Sequence, residues 1–232
     1  MDDSRALLAS STRTAERVSA FLTKVYGWMC IGLGITAAVA YLVASSPALT
    51  SALMANRLVF FALVLAELGL VFFLSARVQS LEPGTAAGLF VAYAALNGVT
   101  LSLILLIYTG ASIATTFIVT GAMFGALAVY GTTTSRSLAG AGQFFFMGLI
   151  GLVLASIVGM FWHNDALQFL ITIVGVIVFT GLTAWDAQRL KQMALTLPDG
   201  QAGAYAVVGA LSLYLNFVNL FLMLLRLQGR RD

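Results

Sequence analysis

Seven uninterrupted apolar stretches dominate this chain, each about 20 residues long, which is the length needed to cross a hydrocarbon core of about 30 Å. Hydrophobic residues make up 60% of the 232 residues and charged residues only 9%, against about 25% charged in an ordinary soluble domain. The chain is therefore predicted to be all-α and polytopic, a bundle of seven transmembrane helices. The predicted spans are Val25–Ala44, Leu58–Ala76, Thr85–Ile107, Ile113–Tyr130, Phe144–Trp162, Leu167–Ala184 or slightly beyond, and Ala204–Leu227.

The segments between these spans are short and hold most of the charge. All three prolines, Pro47, Pro83 and Pro198, fall in them, where a missing backbone N–H does no harm. Residues 1–24 are predicted to be a cytoplasmic tail whose last ten residues could lie as an interfacial helix, and residues 25–232 to be one transmembrane domain. Because the sequence begins Met1-Asp2-Asp3 without a basic n-region and the first apolar run has the length of a span, a cleaved signal peptide is not expected.

The distribution of basic residues predicts the orientation of the chain. With a cytoplasmic N-terminus, eight of the 12 lysines and arginines lie in inner segments and four in outer ones, which favours this arrangement over its reverse. The C-terminus is then periplasmic. Three of the four outer charges lie in the last seven residues, however, so a last segment that re-enters the membrane rather than crossing it stays open. The sequence pI of about 9.2 reflects these membrane anchors and gives no reason to invoke nucleic acid.

The residue inventory disfavours an enzyme. An intramembrane serine protease needs a histidine or lysine base within the membrane, and none of the seven spans contains one. An intramembrane aspartyl protease needs two aspartates that share a proton, and Asp186 at the end of the sixth span is one candidate, with no second aspartate inside any predicted helix. Phosphate-binding glycine loops and His/Cys metal spacings are also absent from the sequence. No cofactor is therefore expected.

A small polar set inside the spans carries the functional hypotheses. Glu67 is the most informative member, because a charge near the middle of a span is costly and usually has a partner or a use. Each member also has a structural explanation: Asp186 could pair with Arg189 on its own helix, and asparagines could hold helices together. Arg226 could extend to the headgroups, and Glu67 could belong to a buried structural pair. The set comprises Glu67, Asn97, Thr100, Asp186, Asn216 and Asn219, with Arg77 and Arg226 at span ends.

Two long motifs make the chain similar to a known family. The sixth span and its extension read GVIVFTGLTAWDAQRLK over 175–191, and the seventh contains GALSLYLNFVNLF over 209–221, followed by Leu224-Leu225-Arg226. Both closely resemble the signature of the transmembrane Bax inhibitor motif family, and Val25-Tyr26-Gly27-Trp28-Met29 looks like its bacterial branch. The resemblance implies a seven-helix bundle with the last helix central, located in the bacterial inner membrane.

The resemblance also implies roles for individual residues. Asp186 matches the first aspartate of the family's pH sensor, and Arg77 lies about where an arginine latches that aspartate. Glu67 and Arg226 match an acidic and basic pair that links the second and seventh helices. The second sensor position is Asn216 here, where the family pattern has an aspartate. Because an amide removes the repulsion between two carboxylates, any gating by pH is expected to be shifted to lower pH or weakened.

Two functions follow from the resemblance. The first is a pH-sensitive leak of calcium or other cations, gated by protonation of buried carboxylates, with calcium as the permeant ion and a weak calcium site at Asp186 and Asn216. The alternative is a membrane regulator or pseudo-substrate of a membrane-anchored ATP-dependent quality-control protease. A monomer within the lipid bilayer is the expected state of the chain.

Overall fold

The computed structural model describes residues 2–162, 164–198 and 201–230, without the side chains of residues 2–11 and 160. Within these ranges seven helices are long and apolar enough to cross a membrane, which confirms the prediction of an all-α polytopic protein. Eight α-helices and one 3-10 helix, Ser102–Leu106, form the described chain: α1 (Asp2–Ala44), α2 (Pro47–Ala55), α3 (Arg57–Arg77), α4 (Pro83–Leu101), α5 (Gly110–Thr133), α6 (Ala139–Phe161), α7 (Asp165–Thr196) and α8 (Ala202–Gln228).

The structure extends two of the predicted spans well beyond their apolar runs. Helix α1 continues without interruption through the predicted tail, and α7 continues for three turns past Ala184 to Thr196. A helix pairs its own backbone groups wherever it lies, so hydropathy marks the end of the apolar surface and not the end of the helix. The short helix α2 was not predicted. Pro47 begins it, at a position where a helix does not need the missing N–H.

Local capping explains where two of the membrane helices begin. The Asn56 side-chain oxygen accepts hydrogen bonds from the backbone N–H groups of Leu58 (3.0 Å) and Val59 (3.4 Å) at the start of α3. The Thr109 hydroxyl accepts from the backbone N–H of Ser112, at 3.2 Å, at the start of α5. Both residues thus pair backbone donors that have no partner within their helix.

The chain divides into two compact units. The first unit consists of Met1–Ser102 and Arg189–Leu211, so it contains α1 to α4 and the adjoining ends of α7 and α8. Helices α1 and α4 pack closely in it: the Thr36 hydroxyl donates to the backbone oxygen of Ala94 over 2.8 Å. A Cβ atom on Gly98 would lie 2.7 Å from the backbone oxygen of Thr36, so glycine permits this close approach of the two backbones.

The second unit consists of Leu103–Gln188 and Ser212–Asp232 and therefore contains α5, α6 and most of α7 and α8. Phe217 of α8 contacts Phe117 and Phe124 of α5 edge to face, with ring centroids 5.3 and 5.5 Å apart. Apolar side chains of α6, α7 and α8 form a buried cluster comprising Leu152, Ile171, Val178, Phe179, Leu182, Leu220 and Met223.

The end of α8 is bound to the beginning of α5. The backbone N–H of Thr109 donates to the carbonyl oxygen of Arg230 (3.1 Å), and the N–H of Arg230 donates to the Ser112 hydroxyl (2.9 Å). Helix α8 is one continuous helix of 27 residues, about 40 Å long at 1.5 Å per residue. A helix of this length is long enough to cross a bilayer core, which favours a crossing over a re-entrant last segment.

Helix α8 is also the most buried of the seven candidate spans. Within the apolar 18-residue stretch of each described span, 61% of the residues are buried in α8, and 11 to 39% are buried in the other six helices. Lipid contacts the outer helices of a bundle, and neighbouring helices cover an inner one. The prediction that the last helix is central is therefore confirmed.

Candidate functional site

A buried carboxylate and a buried amide meet between α7 and α8. Asn216 Nδ2 donates a hydrogen bond to Asp186 Oδ2 at 2.7 Å. The two side chains are only 7% and 6% exposed, so lipid and water are largely excluded from the contact. The structure brings these two residues together, as the sequence predicts, while their part in gating stays a prediction.

Gln188 fixes the chain close to this contact. Its side-chain oxygen accepts from the backbone N–H of Leu138 (2.7 Å), and its Nε2 donates to the carbonyl oxygen of Arg136 (2.8 Å). Arg136 and Leu138 belong to the connection between α5 and α6, and Gln188 is only two residues from Asp186 along α7. The segment of α7 around Asp186 is thus bound to that connection through both the oxygen and the nitrogen of the Gln188 side-chain amide.

Two glycines allow α5 and α6 to reach α7 beside Asp186. A Cβ atom on Gly131 of α5 would collide with the backbone oxygen of Ala184, and one on Gly142 of α6 would collide with the ring of Trp185. Interiors packed this closely cannot take up an added methyl group without moving a helix. Asp186 therefore lies directly after the residues of α7 against which α5 and α6 pack closely.

Glu67 forms a second site, within the first unit. The Thr100 hydroxyl lies 2.9 Å from Glu67 Oε1, and Asn97 Nδ2 donates to Glu67 Oε2 at 3.2 Å. The Thr100 hydroxyl is also 2.9 Å from the Asn97 carbonyl oxygen, and with one proton it donates to one acceptor at a time. Asn97 is buried, and Glu67 and Thr100 are half-buried. One carboxylate of α3 thus receives two donors from α4.

Both arginines that the family resemblance singles out lie exposed at helix ends. Arg77 is in the last turn of α3 and Arg226 in the last turn of α8, where a positive charge also interacts favourably with the helix dipole. The partners observed for Glu67 are Asn97 and Thr100. The pairing of Glu67 with Arg226, and that of Arg77 with Asp186, stay predictions.

Asn219 differs from Asn216 in what its amide binds. Its Nδ2 donates to the backbone oxygen of Leu215, four residues earlier in α8, at 2.8 Å. This bond lies within one helix, so it adds nothing to the contact between helices. The interpretation of the two asparagines as links between helices therefore fits Asn216, and the observed bond of Asn219 is of a different kind.

The described residues offer few ligands to a resident metal ion. No group of three or more histidine, cysteine, aspartate or glutamate side chains comes together among them. At the predicted calcium site, Asp186 and Asn216 supply one carboxylate and one amide oxygen, whereas calcium in proteins takes six to eight oxygen ligands. Any binding of calcium at this pair would therefore be weak.

The chain is similar to known proteins over most of its length. The family model described as "Inhibitor of apoptosis-promoting Bax1" matches residues 18–232. The inner membrane protein YbhL of Escherichia coli strain K12 is 50% identical over 214 residues, covering 91% of this chain and 92% of the relative. An uncharacterized protein of Borreliella burgdorferi is 44% identical over 213 residues, covering 91% and 92%, and one of Deinococcus radiodurans is 42% identical over 221 residues, covering 95% and 94%.

Proposed function

Because the chain belongs to the Bax inhibitor-like (Bax1-I) family of membrane proteins, we propose that it is a multi-pass inner-membrane protein that lets cations leak across the bilayer under the control of pH. Calcium is the proposed permeant ion, and no enzymatic activity is part of the proposal. The inner membrane is the location named for its E. coli relative, which is 50% identical. The resemblance of the motifs around Asp186 and Asn216 supplies the connection to calcium.

The contact between Asp186 and Asn216 is the observation that supports this function. Ionisable groups within the hydrophobic region of a bundle are costly and mark ion or proton pathways in many membrane proteins. When Asp186 is ionised, its bond from Asn216 is one to a charged group, and such bonds are stronger than bonds between neutral groups. Protonation of Asp186 would weaken this bond and with it the attachment of α7 to α8. Acid is therefore proposed to loosen the closed state.

The contacts of Gln188, Gly131 and Gly142 oppose such a loosening. Gln188 binds the connection between α5 and α6 through two hydrogen bonds. Gly131 and Gly142 allow α5 and α6 to lie against Ala184 and Trp185. In this proposal the observed packing belongs to the closed state, and movement of α7 away from α8 would strain both arrangements.

Calcium flux into proteoliposomes of the pure protein, measured at several pH values, tests the proposal. Asp186→Asn keeps the shape of the side chain and removes its titration, so the flux should become insensitive to pH. Asp165→Asn is the matched control, because Asp165 is an exposed aspartate in the first turn of the same helix. Flux equal to that of empty liposomes at every pH, or an Asp186→Asn profile equal to that of the wild type, would contradict the proposal.

The variant Glu67→Gln distinguishes the role of the Glu67 carboxylate from that of Asp186. Glutamine keeps an oxygen that accepts from Thr100 and loses only the negative charge. If Glu67 takes part in conduction, the magnitude of the flux should fall while its dependence on pH remains. If Glu67 is the pH-sensitive group, the pH dependence itself should change, and Asp186 would lose that role.

A regulator of a membrane-anchored ATP-dependent protease is the second candidate. The observation in its favour is the N-terminal extension of α1, which continues as a helix before the first apolar run and is exposed from Thr12 to Arg17. An exposed helical arm of this kind offers a surface to a partner in the cytoplasm. Deletion of residues 2–16 should abolish binding of the protease and leave calcium flux unchanged if this candidate is correct.

A further inference from the structure

Glu67 is the central residue of α3, a helix that the rest of its unit covers only lightly. It lies ten residues from Arg57 and ten from Arg77, about 15 Å along the axis from either charged end. Leu74 is the one buried residue of α3, and only 11% of the helix's apolar stretch is buried. Leu68, the next residue after Glu67, is 50% exposed. The half-buried carboxyl group is therefore at mid-membrane depth and close to the lipid.

The groups around this carboxyl are neutral. The Thr100 hydroxyl lies 2.9 Å from Oε1, and Asn97 Nδ2 lies 3.2 Å from Oε2. Helices α2 and α4 pack against α3. Helix α2 contains no titratable residue, and the one in α4 is Tyr93, which is buried one turn before Asn97. Neither helix supplies a cation, so a negative charge on Glu67 would receive hydrogen bonds from them and no opposite charge.

The Thr100 hydroxyl has two acceptors at the same distance. Its oxygen lies 2.9 Å from Glu67 Oε1 and 2.9 Å from the backbone oxygen of Asn97. When Glu67 is ionised, Thr100 can donate to the carboxylate. When Glu67 carries a proton, the carboxyl O–H can donate to the Thr100 oxygen, while the Thr100 hydrogen turns to the Asn97 carbonyl. Both protonation states are thus fully hydrogen-bonded without movement of a heavy atom.

A structural link between α3 and α4 accounts for these hydrogen bonds but not for the carboxyl group. A glutamine at position 67 would offer an oxygen that accepts from Thr100 and would carry no charge. Amides and hydroxyls commonly join membrane helices in this way. A titratable group at a position where an amide would serve as a link indicates that the proton itself is used.

We propose that Glu67 is a proton-binding site within the bilayer, reached from the lipid, at which the Thr100 hydroxyl changes its acceptor when the proton binds. This site lies in the first unit, and Asp186 and Asn216 of the proposed gate lie in the second. Proton binding at Glu67 is therefore a property in addition to the proposed cation leak.

Such a site is a target for apolar carbodiimides, which react with neutral carboxyl groups. The carboxyl proton moves to one nitrogen of the carbodiimide, the carboxyl oxygen bonds to the central carbon, and one C=N double bond becomes single. The acyl group then migrates from oxygen to nitrogen and leaves a stable N-acylurea. This addition needs no oxidant or reductant, and its rate follows the fraction of Glu67 that carries a proton.

Labelling of the full-length protein with dicyclohexylcarbodiimide in phosphatidylcholine proteoliposomes tests the proposal. Mass spectrometry of the peptides identifies the modified residues over a series of pH values. Glu67 should be labelled, and its labelling should fall as the pH rises. Glu82 is the matched control, because it is an exposed glutamate directly before α4. It should react faster with a water-soluble carbodiimide than with the apolar one, and Glu67 should show the opposite preference.

Substitutions of Thr100 test the change of acceptor. Thr100→Val removes a donor to the ionised carboxylate and an acceptor for the neutral carboxyl. Because a bond to a charged group is the stronger of the two, the midpoint of labelling should move up by about one pH unit. Thr100→Ser keeps the hydroxyl and should keep the midpoint of the wild type. Unfolding midpoints show whether both variants are folded, and the comparison of Glu67 with Glu82 in the wild type needs neither variant.

Three results would overturn the proposal: no label on Glu67 at any pH, labelling of Glu67 that does not vary with pH, or faster labelling of Glu67 by the water-soluble reagent. Equal midpoints in folded Thr100→Val and in the wild type would exclude the part assigned to Thr100. Labelling records no ion flux, so a failure here and a failure of the proposed leak are separate results.

Discussion

The side-chain amide of Asn216 donates to the carboxylate of Asp186 across 2.7 Å, and both groups are buried between α7 and α8. The bond connects α7, which continues three turns beyond its predicted span, to α8, the most buried of the described candidate spans. An aspartate in place of Asn216, as the family pattern has it, would turn this attractive contact into a repulsive one at the same separation.

Asn216→Asp should therefore change the response of the protein to pH. Two carboxylates in contact cannot easily both be ionised, so the pair in Asn216→Asp is expected to hold a shared proton at a pH at which the lone Asp186 carboxylate would have lost it. The midpoint of the flux titration is expected to move to higher pH than in the wild type. Asn219→Asp serves as the control, because the Asn219 amide binds its own helix. Superimposable titrations of Asn216→Asp and wild type would mean that the sensor lies elsewhere.

Gly131→Ala should destabilise the protein by about 1 to 3 kcal/mol, the usual effect of an added methyl group in a packed interior. The new Cβ meets the backbone oxygen of Ala184, which cannot move without α7. The free energy of unfolding in mixed micelles measures the effect. Gly125→Ala on the same helix meets open space and should be neutral or slightly stabilising. Equal effects of the two substitutions would contradict the close contact of α5 with α7.

Thr100→Val should lower the free energy of unfolding by about 1 kcal/mol, since it removes one donor from the half-buried Glu67. In the background of Glu67→Leu the same substitution should have little effect, because its acceptor is gone. The difference between the two backgrounds is the coupling energy of the pair. Thr133→Val, which removes a hydroxyl bonded to a carbonyl of its own helix, should show no such coupling.

The two ends of the chain should be accessible from opposite sides of the membrane. Seven crossings, an odd number, would put the two ends on opposite sides. The distribution of basic residues predicts that the N-terminus is the cytoplasmic end. With Cys30 replaced by serine, single cysteines at positions 12 and 230 test this with a membrane-impermeant maleimide. Position 230 should react in cells whose outer membrane is permeabilised, and position 12 only after lysis. Reaction of both positions from one side would disprove the seventh crossing.

The seven spans could be predicted from the sequence because a bilayer imposes one length on every helix that crosses it. The predicted fourth span, Ile113–Tyr130, lies within α5, Gly110–Thr133, and similar differences of a few residues occur at most other ends. The extension of α7 to Thr196 and the short helix α2 could not be found in this way. Both depend on packing and capping outside the apolar runs.

The polar residues of the candidate sites could be identified one by one, but not all of their partners. Glu67, Asn97 and Thr100 each stand out in an apolar span, yet their meeting depends on how α3 and α4 are rotated about their axes. Gln188, Gly131 and Gly142 were missed. The available signal for Gln188 was its position two residues after Asp186. It was passed over because the sixth span was expected to end near Ala184. The glycines resemble many others in membrane helices, and only the backbone distances set them apart.

The central position of α8 has a consequence for how the protein is made. This helix comes last in the chain, and its C-terminal end is bound to the start of α5 through Thr109 and Ser112. During synthesis the six earlier spans enter the membrane before α8, the most buried of the described spans, has left the ribosome. A chain that stops short of α8 keeps its membrane anchors but lacks the buried contacts of this helix, so complete translation is itself a requirement for the folded state.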